Sequence, residues 1–339
     1  MHQISVHGPG DVRIDECGEP EPGPRDVLVR VAACGICGSD LTYIRMGGFC
    51  LTGGPMPLGH EVSGTVDWVG PEVEGTTVGQ RVVVFPGDPD TDGYDIIGNG
   101  GAEGGLTELL VVRGAARGGR VFPVPDDLPL DVAALAEPLA VGMKSAMRTG
   151  AGRGDKVAVF GCGPIGLSAI ATLAERGADV VGVDLSARRL DLAGEMGAGS
   201  VLDPSACDLW EELARLHGAD EHMGGTVAGT QAFIEATGSA AVINDIVGHA
   251  RPNSMVSLVA VHMEPVELSL LAIMSKQLEV KGSIGYPTRF EDSVDMLTRR
   301  DLSSMITHRI PLTRFDEALE VLGSDRDCGK VLVANSEGL

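Results

Sequence analysis

The chain has 339 residues, enough for about two domains, and its 43% hydrophobic and 4% aromatic content describes a globular core of Ala, Val and Leu. A formal net charge of −22, without a run of like charges long enough to form a tail, excludes nucleic acid and anionic membrane surfaces as partners. The seven cysteines lack the spacing of a disulfide framework, and Met1-His-Gln-Ile-Ser has no basic or apolar leader, so the expectation is a cytoplasmic protein.

In chain order, the first 145 or so residues read as β-rich. Val-rich runs at residues 26–32, 62–69 and 80–85 are bounded by Gly, Pro and Asp, as short strands are. Between the first two runs stand Cys37-Gly38-Ser39-Asp40 and Gly59-His60-Glu61. A soft thiolate, an imidazole and a carboxylate are the ligand types of catalytic zinc, which keeps one coordination position open for chemistry. The two pieces are too far apart for a zinc knuckle but suit two loops that meet. Cys34-Gly-Ile-Cys37 also spells a CxxC redox motif, which needs a thiol pair at a helix start after a strand; no second zinc-type CxxC follows, and Cys34 is expected to be a small buried residue.

From about Gly152 the rhythm changes to strands alternating with helices, which implies a parallel doubly wound sheet. Lys156 to Phe160 is strand-like and leads into Gly161-Cys162-Gly163-Pro164-Ile165-Gly166. A helical stretch from Leu167 to Arg176 and a second strand, Asp179 to Val183, end in Asp184. This is the order of a dinucleotide site. Gly161 permits the tight turn, Gly163 lets backbone approach a pyrophosphate, and Gly166 lets helix pack on strand. The helix N-terminus supplies free N–H groups and the positive end of a dipole. Asp184 would accept the ribose hydroxyls and repel a 2′-phosphate, favouring NAD over NADP. The uncharged stretch 157–174 is long enough to span a membrane, but its three glycines and Pro164 argue for this strand–turn–helix unit. Further strands are expected at residues 233–236, 255–260 and 278–282. Two helical patterns and a last apolar run, Lys330 to Ala334, follow Pro287.

With both motifs in place, the chain resembles the zinc-dependent medium-chain dehydrogenase/reductases, in the branch of sorbitol, butanediol and threonine dehydrogenases. The resemblance runs from Gly23-Pro24-Arg25-Asp26-Val27-Leu28-Val29 to Ile306-Thr307-His308-Arg309 and Gly329-Lys330-Val331. It implies an α/β chain with a GroES-like β-barrel catalytic domain (residues 1–148), a Rossmann NAD-binding domain (149–287) and a return segment (288–339). It also implies an NAD-dependent alcohol dehydrogenase that transfers a hydride between a small secondary alcohol, diol or polyol and NAD, with zinc as Lewis acid, and that is assembled as a homodimer or homotetramer. Cys37, His60 and Glu61 match the family's zinc ligands, and Glu137 in Ala136-Glu137-Pro138-Leu139 matches its further carboxylate. Which glutamate binds the ion stays open.

By the same resemblance Ser39 takes the alcohol proton, and Asp40 holds the His60 imidazole in its metal-binding tautomer. Thr42 stands where relatives often carry a relay histidine, so the proton's exit is expected through water or a ribose hydroxyl. Arg189 matches a contact to the adenosine ribose, and Thr237, with the backbones around Val259 and Ile284, borders the nicotinamide. Tyr43 and Phe49 are candidates for the substrate pocket. Gly285 replaces the Arg that commonly precedes Tyr286 in sorbitol dehydrogenases. The other histidines, His262 among them, read as surface or structural residues.

The largest departure lies between Gly79 and Leu109. Relatives usually carry four cysteines of a structural zinc there, and this chain has none, so one zinc per chain is expected. Asp88-Pro-Asp90-Thr-Asp92-Gly93 mimics half a calcium loop, but Asn99 stands where the bidentate Glu belongs, and an acidic surface lobe is the better reading. The competing classes are a zinc-free reductase and a non-enzymatic NAD-binding structural or regulatory protein. The zinc-free reductase would lack the Cys37 and Gly59-His60-Glu61 ligands.

Overall fold

The computed structural model describes residues 1–51, 53–87, 96–222, 224–325 and 327–335. The acidic lobe at residues 88–95 lies outside them. Two compact units divide the chain: Met1–Glu137 with Phe290–Leu339, and Pro138–Arg289. The division falls in the first turn of the helix Ala136–Arg148, upstream of the change of rhythm on which the sequence boundary at 148 rests.

In the first unit the strand Val27–Gly35 is central. It pairs antiparallel with Glu61–Val69, Leu109–Val112 and Lys330–Ala334. Glu61–Val69 continues the sheet to Arg81–Val84 and then Val121–Pro123, while Lys330–Ala334 takes Ile306–Pro311 on its other side, in parallel. β-branched residues fit a pleated, buried surface, and the core is accordingly rich in valine, including Val27, Val29, Val31, Val66, Val82 and Val331. The register matters for the site. Gly35 pairs with Glu61 on one side and with Leu332 on the other, so the ends of three strands from distant parts of the sequence converge there.

The second unit holds a six-stranded, wholly parallel sheet. Its order is Ser200–Leu202, Asp179–Val183, Lys156–Phe160, Ala232–Glu235, Met255–Leu258, Glu279–Gly282. Numbered along the chain this is 3-2-1-4-5-6, the doubly wound order of dinucleotide-binding folds, with its switch point between the Lys156–Phe160 and Ala232–Glu235 strands. Phe160, Val181, Val183, Phe233 and Val256 anchor its core. Residues 157–174 are the expected strand, turn and helix, and no helix among the described residues is long and apolar enough to cross a membrane.

Candidate active site

Cys37 follows the end of the central strand and occupies the N-cap of the helix Gly38–Met46. Its backbone N–H donates to Asp40 Oδ2 at 2.8 Å, which ties the loop to the first helical turn. Gly47 ends that helix in the left-handed region, φ 90°, where a side chain would strike Pro9. His60 and Glu61 are delivered by Gly59, whose φ of +92° and 2.6 Å clearance to Leu106 leave no room for a Cβ. The ligand atoms of Cys37, His60 and Glu61 all lie within 4.8 Å of one another.

The Glu61 carboxylate is fully buried. Its Oε1 accepts from Lys330 Nζ at 2.6 Å, and Lys330, itself 2% exposed, also donates to Ile36 O at 3.0 Å. Gly35 makes space for this carboxylate: a Cβ there would sit 1.8 Å from Glu61 Oε2. Glu137 is buried and lies outside the three-residue cluster, acting on it through its charge.

Negative groups dominate the electrostatics of the cluster. Burial alone disfavours a charged His60, but Asp40, Cys37 and Glu137 outweigh it and hold the imidazole well above the usual histidine range. Burial likewise opposes the Lys330 ammonium, yet Glu61, Cys37 and Glu137 hold it above an ordinary lysine. Burial pushes the Asp40 carboxyl up, against the pull of His60 and the Cys37 N–H.

Four buried polar atoms here have no partner among the described residues: Ser39 Oγ, Asp40 Oδ1, His60 Nδ1 and Glu61 Oε2. Asp40 Oδ1 stands 3.7 Å from His60 Nδ1, facing it but beyond hydrogen-bonding distance. Native interiors rarely leave such groups unpaired, so their concentration around a Cys–His–Glu cluster fits a bound divalent metal and a polar ligand beside it.

Neighbouring residues are less committed to chemistry. The Thr42 hydroxyl donates to Gly38 O at 3.1 Å and accepts from Arg45 at 3.3 Å, so it serves its own helix. Burial raises the Cys34 thiol well above the usual range, which keeps it neutral and unsuited to redox attack. Tyr43 and Phe49 meet edge to face at 5.2 Å, and burial pushes the Tyr43 phenol up to about 12.

In the second unit the Gly-rich turn has the expected form. Gly161 is at φ +91°, and a Cβ on Gly166 would lie 1.8 Å from Gly161 O. Gly163 is the N-cap of the helix Pro164–Glu175, with Pro164 and Ile165 in its first turn, and a Cβ on Gly163 would meet nothing within 4 Å. That open face beside a helix N-terminus is a cradle of the kind a pyrophosphate fills. Asp184 accepts from the N–H of Cys162 at 2.7 Å and of Ser186 at 2.9 Å, which anchors it beside the turn while each oxygen keeps a free lone pair. The Arg189 N–H donates to the Ser186 cap at 3.1 Å, and its guanidinium acts on the neighbouring Cys162 thiol. Thr237 donates its N–H to Glu235 at 2.8 Å and packs against Gly161.

Sequence reasoning missed Lys330 as a site residue and missed the Glu235–His262 pair at 2.9 Å. A lysine in a closing apolar strand was the one available sign of the first. For the second it was an acidic residue ending a buried strand just before a Thr-Gly turn.

A family model described as an alcohol dehydrogenase GroES-like domain matches residues 23–126, and one described as a zinc-binding dehydrogenase matches residues 164–299. The (R,R)-butanediol dehydrogenase of Neisseria gonorrhoeae is 32% identical over an alignment of 363 positions, covering 99% of this chain and 99% of that protein. The sorbitol dehydrogenase of Homo sapiens is 34% identical over 335 positions, with 94% and 91% covered. The crystal structure of 2R,3R-butanediol dehydrogenase from Bacillus subtilis superposes with a TM-score of 0.86 at 32% identity, over 99% of both chains.

Proposed function

Because the chain belongs to the zinc-binding alcohol dehydrogenase family, we propose that it oxidises a secondary hydroxyl of a small diol or polyol with NAD, reversibly. The observation that carries this reading is the group of four unpartnered buried polar atoms around Cys37, His60 and Glu61. Cys37, His60 and Glu61 would hold the zinc, with Glu137 adding negative charge nearby. One ion per chain is the reading, since no cysteine lies between Gly79 and Leu109.

Zinc, when bound, supplies Lewis acidity that brings an alcohol's pKa toward neutrality, and NAD supplies the hydride acceptor. The protein's own groups position and deprotonate. Ser39 Oγ, buried and unpartnered, accepts the substrate hydroxyl proton while passing its own to water or a ribose hydroxyl. Asp40 braces the Cys37 backbone and faces His60, fixing the two ligands relative to each other. The Gly161–Gly166 turn and the helix behind it receive the pyrophosphate. Asp184 and Arg189 take the adenosine ribose, and the Asp184 carboxylate discriminates against a 2′-phosphate. Thr237 borders the nicotinamide.

Diols and polyols are favoured over simple alcohols because the relatives at 32 and 34% identity are named for such substrates. A cytoplasmic homodimer or homotetramer is part of the same reading. The strand Glu279–Gly282 ends its sheet, and Leu271, Met274 and Ile284, which flank it in the chain, are exposed apolar residues at 70, 68 and 87%.

Metal content and NADH production test the proposal together. The expected result is about one zinc per chain and chelator-sensitive NADH formation on 2,3-butanediol or sorbitol, restored by zinc. Protein grown in zinc-replete medium that holds no zinc and turns over no alcohol would sink it.

A further inference from the structure

Glu235 is the last residue of its strand, paired with Phe160 at the sheet's switch point, and it is fully buried. A carboxylate without water must be matched by donors. Its Oε1 accepts the N–H of Thr237 at 2.8 Å, the N–H of Gly238 at 2.9 Å and the Thr237 hydroxyl; its Oε2 is met by His262 Nε2 at 2.9 Å. The donors come from two loops, the turn after the fourth strand of the sheet and the loop after the fifth. Both are packed closely. A Cβ on Gly161 would fall 2.9 Å from Thr237 Cγ2, and one on Gly238 would fall 3.0 Å from Val261 O. One carboxylate therefore sets the position of the turn that faces the Gly-rich turn, and His262 locks that carboxylate.

The two halves of a doubly wound sheet divide a dinucleotide between them. Asp184 directly follows the strand on one side of Lys156–Phe160, and Glu235 ends the strand on the other. With the adenosine ribose assigned to Asp184, the half built on the last three strands faces the nicotinamide.

We propose that Glu235 and His262 are positioning residues for the nicotinamide half of the cofactor, acting through the Thr237–Gly238 turn. The inference rests on the NAD reading above. As long as the Glu235 carboxylate is ionised, His262 Nε2–H is its donor, so loss of the imidazole leaves one carboxylate oxygen buried and unpaired and lets the turn shift.

Direct binding separates this role from a general structural one. NADH and AMP are titrated by calorimetry into the zinc-loaded protein, as wild type, Glu235→Gln, His262→Leu, His262→Gln and Asp184→Ala. AMP reports only the adenosine half. Glu235→Gln and His262→Leu are expected to weaken NADH roughly five- to fifty-fold and to leave AMP unchanged. His262→Gln, whose amide N–H can still donate to Glu235, should recover most of the loss, and Asp184→Ala should weaken both probes. If Glu235→Gln does not fold, the Leu and Gln variants at His262 carry the test alone. NADH and AMP weakening in parallel, or NADH binding unaltered in the His262→Leu protein, would overturn the inference and leave the NAD reading standing. A wild-type protein that binds neither probe would overturn both.

Discussion

Glu61 and Glu235 are both wholly buried carboxylates that meet a basic side chain, Lys330 in one unit and His262 in the other. Around Glu235 the bonding is complete: both oxygens are used, and four donors converge. Around Glu61 it is not. Lys330 takes Oε1, but Oε2 has no partner among the described residues, nor do Ser39 Oγ, Asp40 Oδ1 and His60 Nδ1. A finished carboxylate braces a turn. An unfinished one, inside a cluster of other unfinished groups, is a place for something the chain does not itself provide. The same residue type with the same burial is thus fully bonded in one unit and left with an open lone pair in the other, and the proposed split between brace and ligand rests on that count of satisfied lone pairs.

The hardest way to break this comparison is to remove the thiolate. Cys37→Ala should lose zinc on dialysis and lower kcat/KM by on the order of a thousandfold or more, since several kcal/mol of Lewis-acid stabilisation depend on the ion. Metal analysis beside steady-state rates checks it; a variant that keeps both its zinc and its rate removes Cys37 from the site.

Next comes Lys330→Met, which strands Glu61 as an uncompensated buried charge. The metal-free protein should lose about 3–5 kcal/mol in urea unfolding, with part of the loss returned by zinc. His262→Leu leaves Glu235 three of its donors, so a smaller loss of about 1–2 kcal/mol without zinc dependence is expected there. Equal losses with equal zinc responses would erase the distinction between the two carboxylates. Smaller than the effect of Lys330→Met is that of Gly35→Ala. Its Cβ would sit 1.8 Å from Glu61 Oε2, so the carboxylate must move and zinc affinity should fall by roughly 10- to 100-fold. Competition with a chromogenic chelator measures it, and unaltered affinity would mean that Glu61 does not hold the ion.

What could be read in the chain follows the sequence distance over which each feature is written. Cys37, Ser39 and Asp40 lie within one helical turn, and His60-Glu61 follows a glycine that demands its own backbone angle, so both halves of the Cys–His–Glu cluster are local patterns. The Gly161–Gly166 turn and Asp184 are local too, because strand, turn, helix and strand follow without interruption. Lys330 meets Glu61 across 269 positions, through two strand pairings that share Gly35. No periodicity encodes that meeting. His262 is the intermediate case: it lies 27 residues from Glu235, in the loop after the neighbouring strand, and only the parallel register shows that the two ends are adjacent.

Asp26 offers a third carboxylate on which the comparison can be sharpened with pH. It sits in the first unit with its side chain 10% exposed, and it is finished in the manner of Glu235. Its Oδ2 accepts the N–H of Gly23 at 2.8 Å and Arg113 at 3.0 Å, and its Oδ1 accepts the N–H of Gly114 at 2.9 Å. Burial by itself would raise this carboxyl, but the two backbone donors and the guanidinium outweigh it, and the net direction is downward from the ordinary value. A carboxyl whose folded-state pKa is depressed contributes stability above its unfolded pKa and loses that contribution as pH falls through the folded value. Asp26→Asn keeps the shape and one acceptor but removes the charge, so it should cost about 1–2 kcal/mol near pH 7. The gap between wild type and variant should stay constant above about pH 5 and close progressively below about pH 4, where the wild-type carboxyl takes up its proton. Urea unfolding of both proteins from neutral to acid pH reads it directly. A gap that does not change with pH would mean that Asp26 contributes through packing, and that donors arranged around a carboxylate are no guide to what its charge is worth.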